Sequence, residues 1–284
     1  RYNNLDKLNK HVSVNKSEDI VIEIDKIAND IISDFISENR NIVAYISEEN
    51  ECISFKNNID PKNKNYIISF DPLDGSKNVA SNVTCGSIYC IMEYDYLNDK
   101  VAEILESGYC IYGASTIMVN ARKNDVKMFQ LNENNDFQFI RKIDSLGTEK
   151  TYHCNESYNN ILDNDIKELI SHYKNNKYSL RWIGSMVADC HKIIINGGIF
   201  IYSNNEKYPS GKIRFFYEAV PLSFIFEQLG GVGLDINMNN IISSLPKIKL
   251  HETDVHRRIL IILSSVDQAE EMKTILDINR NIYC

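Results

Sequence analysis

Apolar residues recur along the chain in two spacings, one typical of helices and one typical of short buried strands. Residues 18–38 repeat apolar side chains every three or four positions, which predicts an amphipathic helix. The stripe consists of Ile20, Ile24, Ile27, Ile31 and Phe35. Residues 42–46 and 66–70 are short runs of mainly β-branched and aromatic residues between polar turns, which predicts two buried strands.

The same patterns continue further along and indicate a boundary near residue 150. Residues 142–150 are polar, so the sequence is predicted to divide into an N-terminal half, 1–148, and a C-terminal half, 149–284. Further predicted elements are a helix over 183–194, a helix that begins at Pro221 and a strand over 259–263.

Composition narrows the class of protein. The 284 residues are 43% hydrophobic and 25% charged, with a formal net charge of −8 and no long basic run, which argues against a nucleic-acid partner. Seven cysteines without CxxC or Cys/His zinc spacing favour reduced thiols and a cytoplasmic location. No apolar stretch approaches the roughly 20 residues that span a membrane. Cys190 and His191 follow an apolar face and are interpreted as core residues.

Acidic residues follow both predicted N-terminal strands. Glu48 and Glu49 come directly after the first, and Asp71 and Asp74 come directly after the second, within DPLDGS. The proline and glycine of that segment favour a tight turn in which both aspartates, joined by the Leu73 carbonyl, face one ion. Such oxygen ligands suit Mg²⁺ or Mn²⁺ together with a substrate phosphate. Phosphate ester hydrolysis is therefore the leading hypothesis, although each cluster alone is also typical of a solvated acidic turn.

A second group of charged residues lies in the C-terminal half. Lys212 and Arg214 alternate along a predicted strand, and Glu218 shares their face if the strand continues, so two cations could hold a phosphate and one acid a metal. A surface strand of alternating charge is the alternative. Residues 181–186 are predicted to begin a helix whose N–H groups and Arg181 suit an anion.

Several collinear motifs resemble the class I fructose-1,6-bisphosphatase family, within the lithium-sensitive, metal-dependent phosphomonoesterase superfamily. They cover nearly the whole chain. They read SEEN at 47–50, FDPLDGSKN at 70–78, YGAST at 112–116, NESY at 155–158, RWIGSMVADCHK at 181–192, GGIFIY at 197–202 and GKIRFFYEAVPLSFIFEQLGG at 211–231.

This resemblance implies an α/β (α+β) fold, a layered αβαβα sandwich, in a homo-oligomer, a dimer or tetramer. It implies Mg²⁺, with Mn²⁺ or Zn²⁺ as alternatives, and hydrolysis of fructose 1,6-bisphosphate to fructose 6-phosphate and phosphate in gluconeogenesis. The N-terminal half would bind metal and the C-terminal half the sugar phosphate, and the family's N-terminal regulatory helices would precede Arg1.

The resemblance also implies roles for individual residues. The metal ligands would be Glu48, Asp71, Asp74 and Glu218. Glu49 would act as base for the attacking water with help from Asp25, and Asp19 would engage a further metal. Arg214 and the backbone of Gly75 and Ser76 would contact the reacting phosphate. The distal phosphate and the sugar would contact Asn155, Tyr158, Tyr202, Lys212 and the backbone of Gly184, Ser185 and Met186, with Arg181 from a neighbouring subunit.

Two alternatives stay open at this point. Sedoheptulose-1,7-bisphosphatase, or a dual enzyme, would share the metal clusters and the chemistry, and a non-catalytic phosphosugar-binding protein would keep the fold without turnover. The chain also departs from the family pattern, because Trp182 stands where tyrosine is usual, which removes a hydroxyl from the distal phosphate.

Overall fold

A computed structural model describes residues 11–14, 20–56, 64–235 and 237–282 of the chain. Asp19, which the resemblance assigns to catalysis, lies outside the described residues. Among the helices of the described segments, none combines the length and the hydrophobicity that crossing a membrane requires.

Strands account for much of the first half of the molecule. The described strands are β1 (His11–Val14), β2 (Ile20–Ile22), β3 (Ile42–Ser47), β4 (Ser54–Phe55), β5 (Asn65–Asp74), β6 (Cys85–Asp95), β7 (Lys100–Tyr112), β8 (Thr116–Arg122), β9 (Asp125–Leu131), β10 (Phe137–Ile143), β11 (Thr151–Cys154), β12 (Ser179–Arg181), β13 (Ile199–Tyr202), β14 (Ile213–Arg214), β15 (Gly231–Leu234), β16 (Arg258–Ile259) and β17 (Ile261–Ser265).

Helices are concentrated in the second half. The described α-helices are α1 (Glu23–Glu38), α2 (Asn164–Asn175), α3 (Met186–Asn196), α4 (Val220–Gln228), α5 (Ile241–Ser244) and α6 (Val266–Ile282). Short 3₁₀ turns include Ser76–Ser81 and Glu156–Ile161, and a π-helical turn, Phe215–Ala219, precedes α4.

Two larger sheets organise the fold. The first has the order β10-β9-β8-β7-β6-β5-β3-β4, in which β3 and β5 are parallel and every other pair is antiparallel. The second has the order β12-β11-β13-β17-β15, with β11 parallel to both neighbours. The parallel pair matters for function, because it brings the carboxyl ends of β3 and β5 to the same edge.

The helices cover both sheets in layers. Helix α1 packs on one face of the first sheet, where Ile36 contacts a small cluster with Ile42 and Phe70. Helices α3 and α4 contact strands of both sheets and fill the space between them. Helices α2 and α6 cover the outer face of the second sheet, around Tyr173 and Ile199. The layers therefore run α, β, α, β, α, which confirms the predicted α/β sandwich.

Several sequence predictions need correction at the level of elements. The predicted helix over 18–38 begins only at Glu23, because residues 20–22 form a strand. Its predicted apolar stripe is not the buried face: Ile31 and Phe35 are 64% and 73% exposed, whereas Asp25 and Ile36 are buried. The sequence holds two apolar stripes, because residues 31–32 and 35–36 are apolar pairs, and the spacing alone does not choose between them.

Two C-terminal predictions also need correction. Arg181 ends strand β12 instead of opening a helix, and α3 begins at Met186. The predicted strand over residues 212–218 is limited to Ile213–Arg214, after which the chain turns into the π-helical segment. The prediction that Cys190 is a core residue is confirmed, since it is fully buried, whereas His191 is only half-buried and its Nδ1 lies 2.8 Å from the Tyr109 hydroxyl.

Candidate active site

A cleft of about 330 Å³ opens between the two sheets and collects most of the predicted site residues. The residues from the sequence prediction that line it are Asp25, Glu48, Glu49, Asp71, Leu73, Asp74, Gly75, Ser76, Asn155, Gly184, Met186, Tyr202, Lys212, Arg214 and Glu218. The part of the cleft around Asp71, Asp74 and Glu218 is its acidic end, and the part around Trp182, Phe200 and Tyr202 is its aromatic end.

The acidic end depends on the parallel pairing of β3 and β5. Ser47, the last residue of β3, is level with Phe70, and the Glu48 amide donates to the Phe70 carbonyl at 3.3 Å. Because β3 ends at Ser47, Glu48 and Glu49 lie in a turn and both reach the cleft. Adjacent side chains on a continuing strand would point to opposite faces of the sheet, whereas in this turn both glutamates can serve one site.

Two acids of strand β5 meet a third from far along the chain in this cleft. One carboxylate oxygen each from Asp71, Asp74 and Glu218 lies within 4.8 Å of the other two. Burial raises the pKa of Asp71 well above its usual value, and the negative charges of Glu48, Asp74 and Glu218 raise it further. Burial likewise raises the pKa of Glu218, again with a contribution from Glu48. Buried, mutually repelling oxygen donors without a histidine or cysteine among them fit a hard divalent cation.

The backbone of β5 shapes this cluster. The pairing of β5 with β6 changes register between Asp71 and Asp74, and the Leu73 amide donates to the Asp71 carboxylate at 2.9 Å. Gly75 then adopts a φ of +75°, and a Cβ at this position would come within 2.7 Å of the Ser185 Cβ. Both the backbone angle and the close approach explain a glycine after the second aspartate.

Asp74 links the acidic cluster to helix α3. Its carboxylate accepts the Ser185 hydroxyl at 2.6 Å and the Val187 amide at 2.8 Å. Burial raises the pKa of Asp74, and these hydrogen bonds partly oppose that rise. The sequence prediction places the backbone of Ser185 against the sugar. In the structure Ser185 is buried and does not line the cleft, and its hydroxyl instead contacts Asp74, a predicted metal ligand.

Asp25 reaches the cleft from the first turn of α1. The residue is buried and accepts the Ile22 amide at 3.0 Å. Burial raises its pKa, whereas hydrogen bonds from Ile22 and Ser76 and the charge of Lys77 lower it. A carboxyl of this kind in the same cleft as Glu49 is suited to proton transfer.

The π-helical turn brings Glu218 into the cleft. Lys212, Arg214 and Glu218 all line it, as predicted, although a continuous strand does not place them there. The wider turn returns the Glu218 carboxylate to the amide of Arg214, which donates to it. Single π-helical turns are frequent at functional sites. Pro221 indicates that the chain is helical by that point, but no pattern in the sequence indicates the π turn.

Aromatic residues form the other end of the cleft. Trp182 stacks on Phe200 with ring centroids 6.2 Å apart and lies 5.8 Å from the ring of Tyr202. Burial raises the pKa of Tyr202 to about 12, so its hydroxyl keeps its proton well into the alkaline range. Asn155 also lines this end, and its side chain accepts the Ser157 amide at 3.2 Å.

Cations collect around one tyrosine beside this end. The ring of Tyr208 has Lys207, Lys212 and Arg258 at 5.3, 5.6 and 6.0 Å from its centroid. Tyr158 packs against the same ring at 6.4 Å, and it does not itself line the cleft. Sequence reasoning found Lys212 and Tyr158 but missed Tyr208, whose only signal is its place before the PSGK turn.

A few residues differ from the sequence prediction in position. Arg181 is exposed, donates to the Leu180 carbonyl at 2.8 Å and does not line the cleft of its own chain. Lys77 and Asn78 line the cleft and were missed, although they directly follow the predicted glycine and serine.

Comparisons with known proteins identify relatives of this arrangement. Residues 6–142 match the family model for the fructose-1-6-bisphosphatase N-terminal domain, and residues 146–277 match that for the C-terminal domain. The class 1 fructose-1,6-bisphosphatase of Sulfurihydrogenibium sp. is 34% identical over 268 residues, which cover 90% of this chain and 79% of the relative. Fructose-1,6-bisphosphatase isozyme 2 of Bos taurus is 30% identical over 285 residues, which cover 94% and 81%. The holo crystal structure of Leishmania major fructose-1,6-bisphosphatase superposes with a TM-score of 0.85 at 28% identity, covering 95% of this chain and 86% of that one.

Proposed function

The chain belongs to the fructose-1,6-bisphosphatase family, and we propose that it hydrolyses the 1-phosphate of fructose 1,6-bisphosphate to give fructose 6-phosphate and inorganic phosphate. One observation of the structure carries this proposal. Asp71, Asp74 and Glu218 converge within 4.8 Å at one end of a cleft whose other end presents Tyr202 and Lys212. A metal-dependent phosphatase for a substrate with two phosphates needs both ends.

We infer that Mg²⁺ is the physiological metal, held by Glu48, Asp71, Asp74 and Glu218 with the Leu73 carbonyl. The donors in the described cluster are all oxygen atoms, whereas zinc sites usually include histidine or cysteine. A bound divalent cation would supply positive charge where negative charge develops on the phosphoryl group.

The chain's own residues then bind the ester and move the proton. Glu49 accepts a proton from the attacking water at its carboxylate, with Asp25 beside it as a second acceptor. Arg214 is 3% exposed and lines the cleft, so its fixed positive charge can act on the reacting phosphate without much screening by water. The backbone of Gly75 and Ser76 completes the contacts to that phosphate.

The distal phosphate and the sugar occupy the aromatic end in this proposal. Lys212, Tyr202 and Asn155 donate to the distal phosphate, and Tyr158 supports this group from behind through Tyr208. Trp182 offers an indole face to the sugar instead of the hydroxyl that is usual in the family. Because the curated relatives are named as fructose-1,6-bisphosphatases, the six-carbon substrate is favoured over sedoheptulose 1,7-bisphosphate and over a non-catalytic role.

The test is phosphate release in saturating Mg²⁺ from fructose 1,6-bisphosphate, sedoheptulose 1,7-bisphosphate and inositol 1-phosphate, measured side by side. We expect a strong preference for the fructose ester and a loss of 10²–10⁴-fold in kcat, as an order of magnitude, for the isosteric Glu49→Gln variant. Preference for the seven-carbon ester would reassign the substrate while keeping the mechanism. No metal-dependent release from any of the three would refute the proposed hydrolysis.

Other properties of the protein remain predictions. These are the cytoplasmic location, the homo-oligomeric state, the division of labour between residues 1–148 and 149–284, and the part of Asp19 in catalysis. Arg181 is exposed and lies outside its own chain's cleft, which supports the proposal that it enters the site of a neighbouring subunit.

A further inference from the structure

A buried histidine and a buried aspartate form a pair between the second sheet and helix α3. His153 on β11 and Asp189 on α3 are both 0% exposed, and the His153 Nδ1 lies 2.6 Å from the Asp189 Oδ1. A carboxylate only accepts hydrogen bonds, so His153 donates from Nδ1. Neither residue lines the cleft, and the reaction proposed above uses neither. An ionisable pair removed from water is expensive to bury, so its location needs an explanation.

The pair holds residues 182–185, the loop that contributes Trp182 to the aromatic end of the cleft. The Asp189 carboxylate accepts the Ile183 amide at 3.1 Å and the Gly184 amide at 3.0 Å. Gly184 has a φ of +85°, a conformation that other residues rarely adopt, so this loop needs specific contacts to keep its shape. Trp182 and Gly184 are the two loop residues that line the cleft.

The same loop is held from its other end by the metal site. Asp74 accepts the Ser185 hydroxyl and the Val187 amide, so the segment from Ile183 to Val187 is fixed between two carboxylates. Loss of the His153 side chain would release the end of the loop at Trp182, whereas the hydrogen bonds from Ser185 and Val187 to Asp74 would stay in place. The binding of sugar should therefore be separable from the binding of metal.

We propose that His153 and Asp189 are positioning residues that hold the 182–185 loop in the shape that binds the sugar and its distal phosphate. His153 orients the Asp189 carboxylate, and the carboxylate in turn fixes the backbone of Ile183 and Gly184. This inference rests on the proposed function for its substrate, whereas the control of the loop itself does not depend on turnover.

The chain offers a matched pair of substitutions at His153. In His153→Asn the side-chain amide nitrogen falls near the position of Nδ1 and keeps the donor, whereas His153→Leu removes it. We expect His153→Leu to raise KM for fructose 1,6-bisphosphate about tenfold with kcat within about threefold, and His153→Asn to restore KM to within about twofold. The Mg²⁺ concentration for half-maximal activity should stay unchanged in both.

Helix α3 also supplies the control for a general loss of packing. Tyr109→Phe removes a different, partly buried hydrogen bond to the same helix, the 2.8 Å contact with His191, which does not reach the loop. We expect it to lower Tm without changing KM. A rise in the KM of Tyr109→Phe as large as that of His153→Leu would overturn the inference. An unchanged KM in a folded His153→Leu variant would overturn it as well.

A second measurement does not need activity. Trp182 is the single tryptophan of the chain, so its fluorescence reports the loop directly. Release of the loop should shift the emission to longer wavelength and increase quenching by acrylamide in His153→Leu but not in Tyr109→Phe. If His153→Leu does not fold, His153→Gln places its amide nitrogen near Nε2, away from Asp189, and should give the same shift. Unchanged fluorescence in the variant refutes the positioning role. If the fluorescence shifts but the wild-type protein releases no phosphate, only the proposed substrate is refuted.

Discussion

Asp71 is a buried carboxyl surrounded by other carboxyls, and this determines how metal binding depends on pH. Its pKa is raised in the folded state by burial and by Glu48, Asp74 and Glu218, so the metal-free cluster holds protons that a cation must displace. The apparent affinity for Mg²⁺ should therefore increase as pH rises. The metal-free fold, in contrast, gains stability as pH falls through the raised pKa, because the folded state binds the extra protons.

Calorimetry can measure this exchange directly. Titrations with Mg²⁺ in two buffers of different ionisation heat should show proton release at a lower pH and less release at a higher pH. Asp71→Asn should remove most of that release, weaken Mg²⁺ binding and raise Tm in the absence of metal, because one repelling charge is lost. Equal heats in both buffers at the lower pH would contradict the raised pKa values.

The identity of the acidic residues could be predicted from the sequence, but their geometry could not. Glu48, Asp71 and Asp74 follow apolar runs, and the ends of adjacent parallel strands meet at one edge of a sheet. Glu218 reaches the same point through a π-helical turn, a local widening for which apolar spacing gives no signal. The His153 and Asp189 pair was also missed, because a histidine inside an apolar strand has no spacing to connect it with an aspartate on a later helix.

His191 on helix α3 is held in its neutral form, and this makes the stability of the folded protein depend on pH. Burial, with a smaller contribution from Arg141, lowers the pKa of His191 to about 4. The Tyr109 hydroxyl lies 2.8 Å from the His191 Nδ1, which accepts its proton when the neutral ring carries its own proton on Nε2, and protonation of the ring would remove that acceptor. Because the unfolded chain binds the proton at the usual pKa, stability is complete above about pH 6.5 and is lost as pH falls towards 4.

The substitution His191→Gln isolates this effect. Glutamine keeps a polar partner for Tyr109 and does not titrate. Between pH 6.5 and 4, the free energy of unfolding should therefore fall less in the variant than in the wild type, and the difference should be about 2 kcal/mol. Chemical denaturation of both proteins across that range gives the difference, in which the other titrating groups cancel. Parallel pH profiles would show that His191 does not contribute.

Helix α1 shows how far periodicity can predict an element. Its existence and its acidic first turn could be predicted, but the buried face could not, because residues 31–32 and 35–36 are apolar pairs that supply two possible stripes. The first sheet contacts the side that carries Asp25 and Ile36. This choice places Asp25 in the cleft, so the tertiary packing of the helix determines a residue of the candidate site.

At the scale of the whole molecule, the cleft depends on contacts between residues that are far apart in sequence. Asp71 and Glu218 belong to different family-model matches, yet their carboxylates lie within 4.8 Å. Helices α3 and α4 produce this closeness because they pack between the two sheets and share one core with both. The division of the chain into two halves stays a prediction from the sequence, whereas the distance between Asp71 and Glu218 follows only from that packing.

Arg181 is an exposed predicted site residue that this packing leaves outside the cleft, and a mixing experiment can determine where it acts. If it enters a neighbouring site in a twofold-symmetric pair, chains with Arg181→Ala and chains with Glu49→Gln together form one intact site per mixed pair. Coexpression in equal amounts should then restore about a quarter of the wild-type activity, although each variant alone is nearly inactive.

The control for this experiment uses a cation from the cleft of the chain itself. Lys212 lines the same cleft as Glu49, so every site in a mixture of Lys212→Ala with Glu49→Gln retains at least one substitution and activity should not recover. Recovery in the Arg181 mixture alone would place that arginine across a subunit interface. If neither mixture exceeds the sum of its parents, Arg181 acts within its own chain or not at all, and the shared-site prediction is wrong.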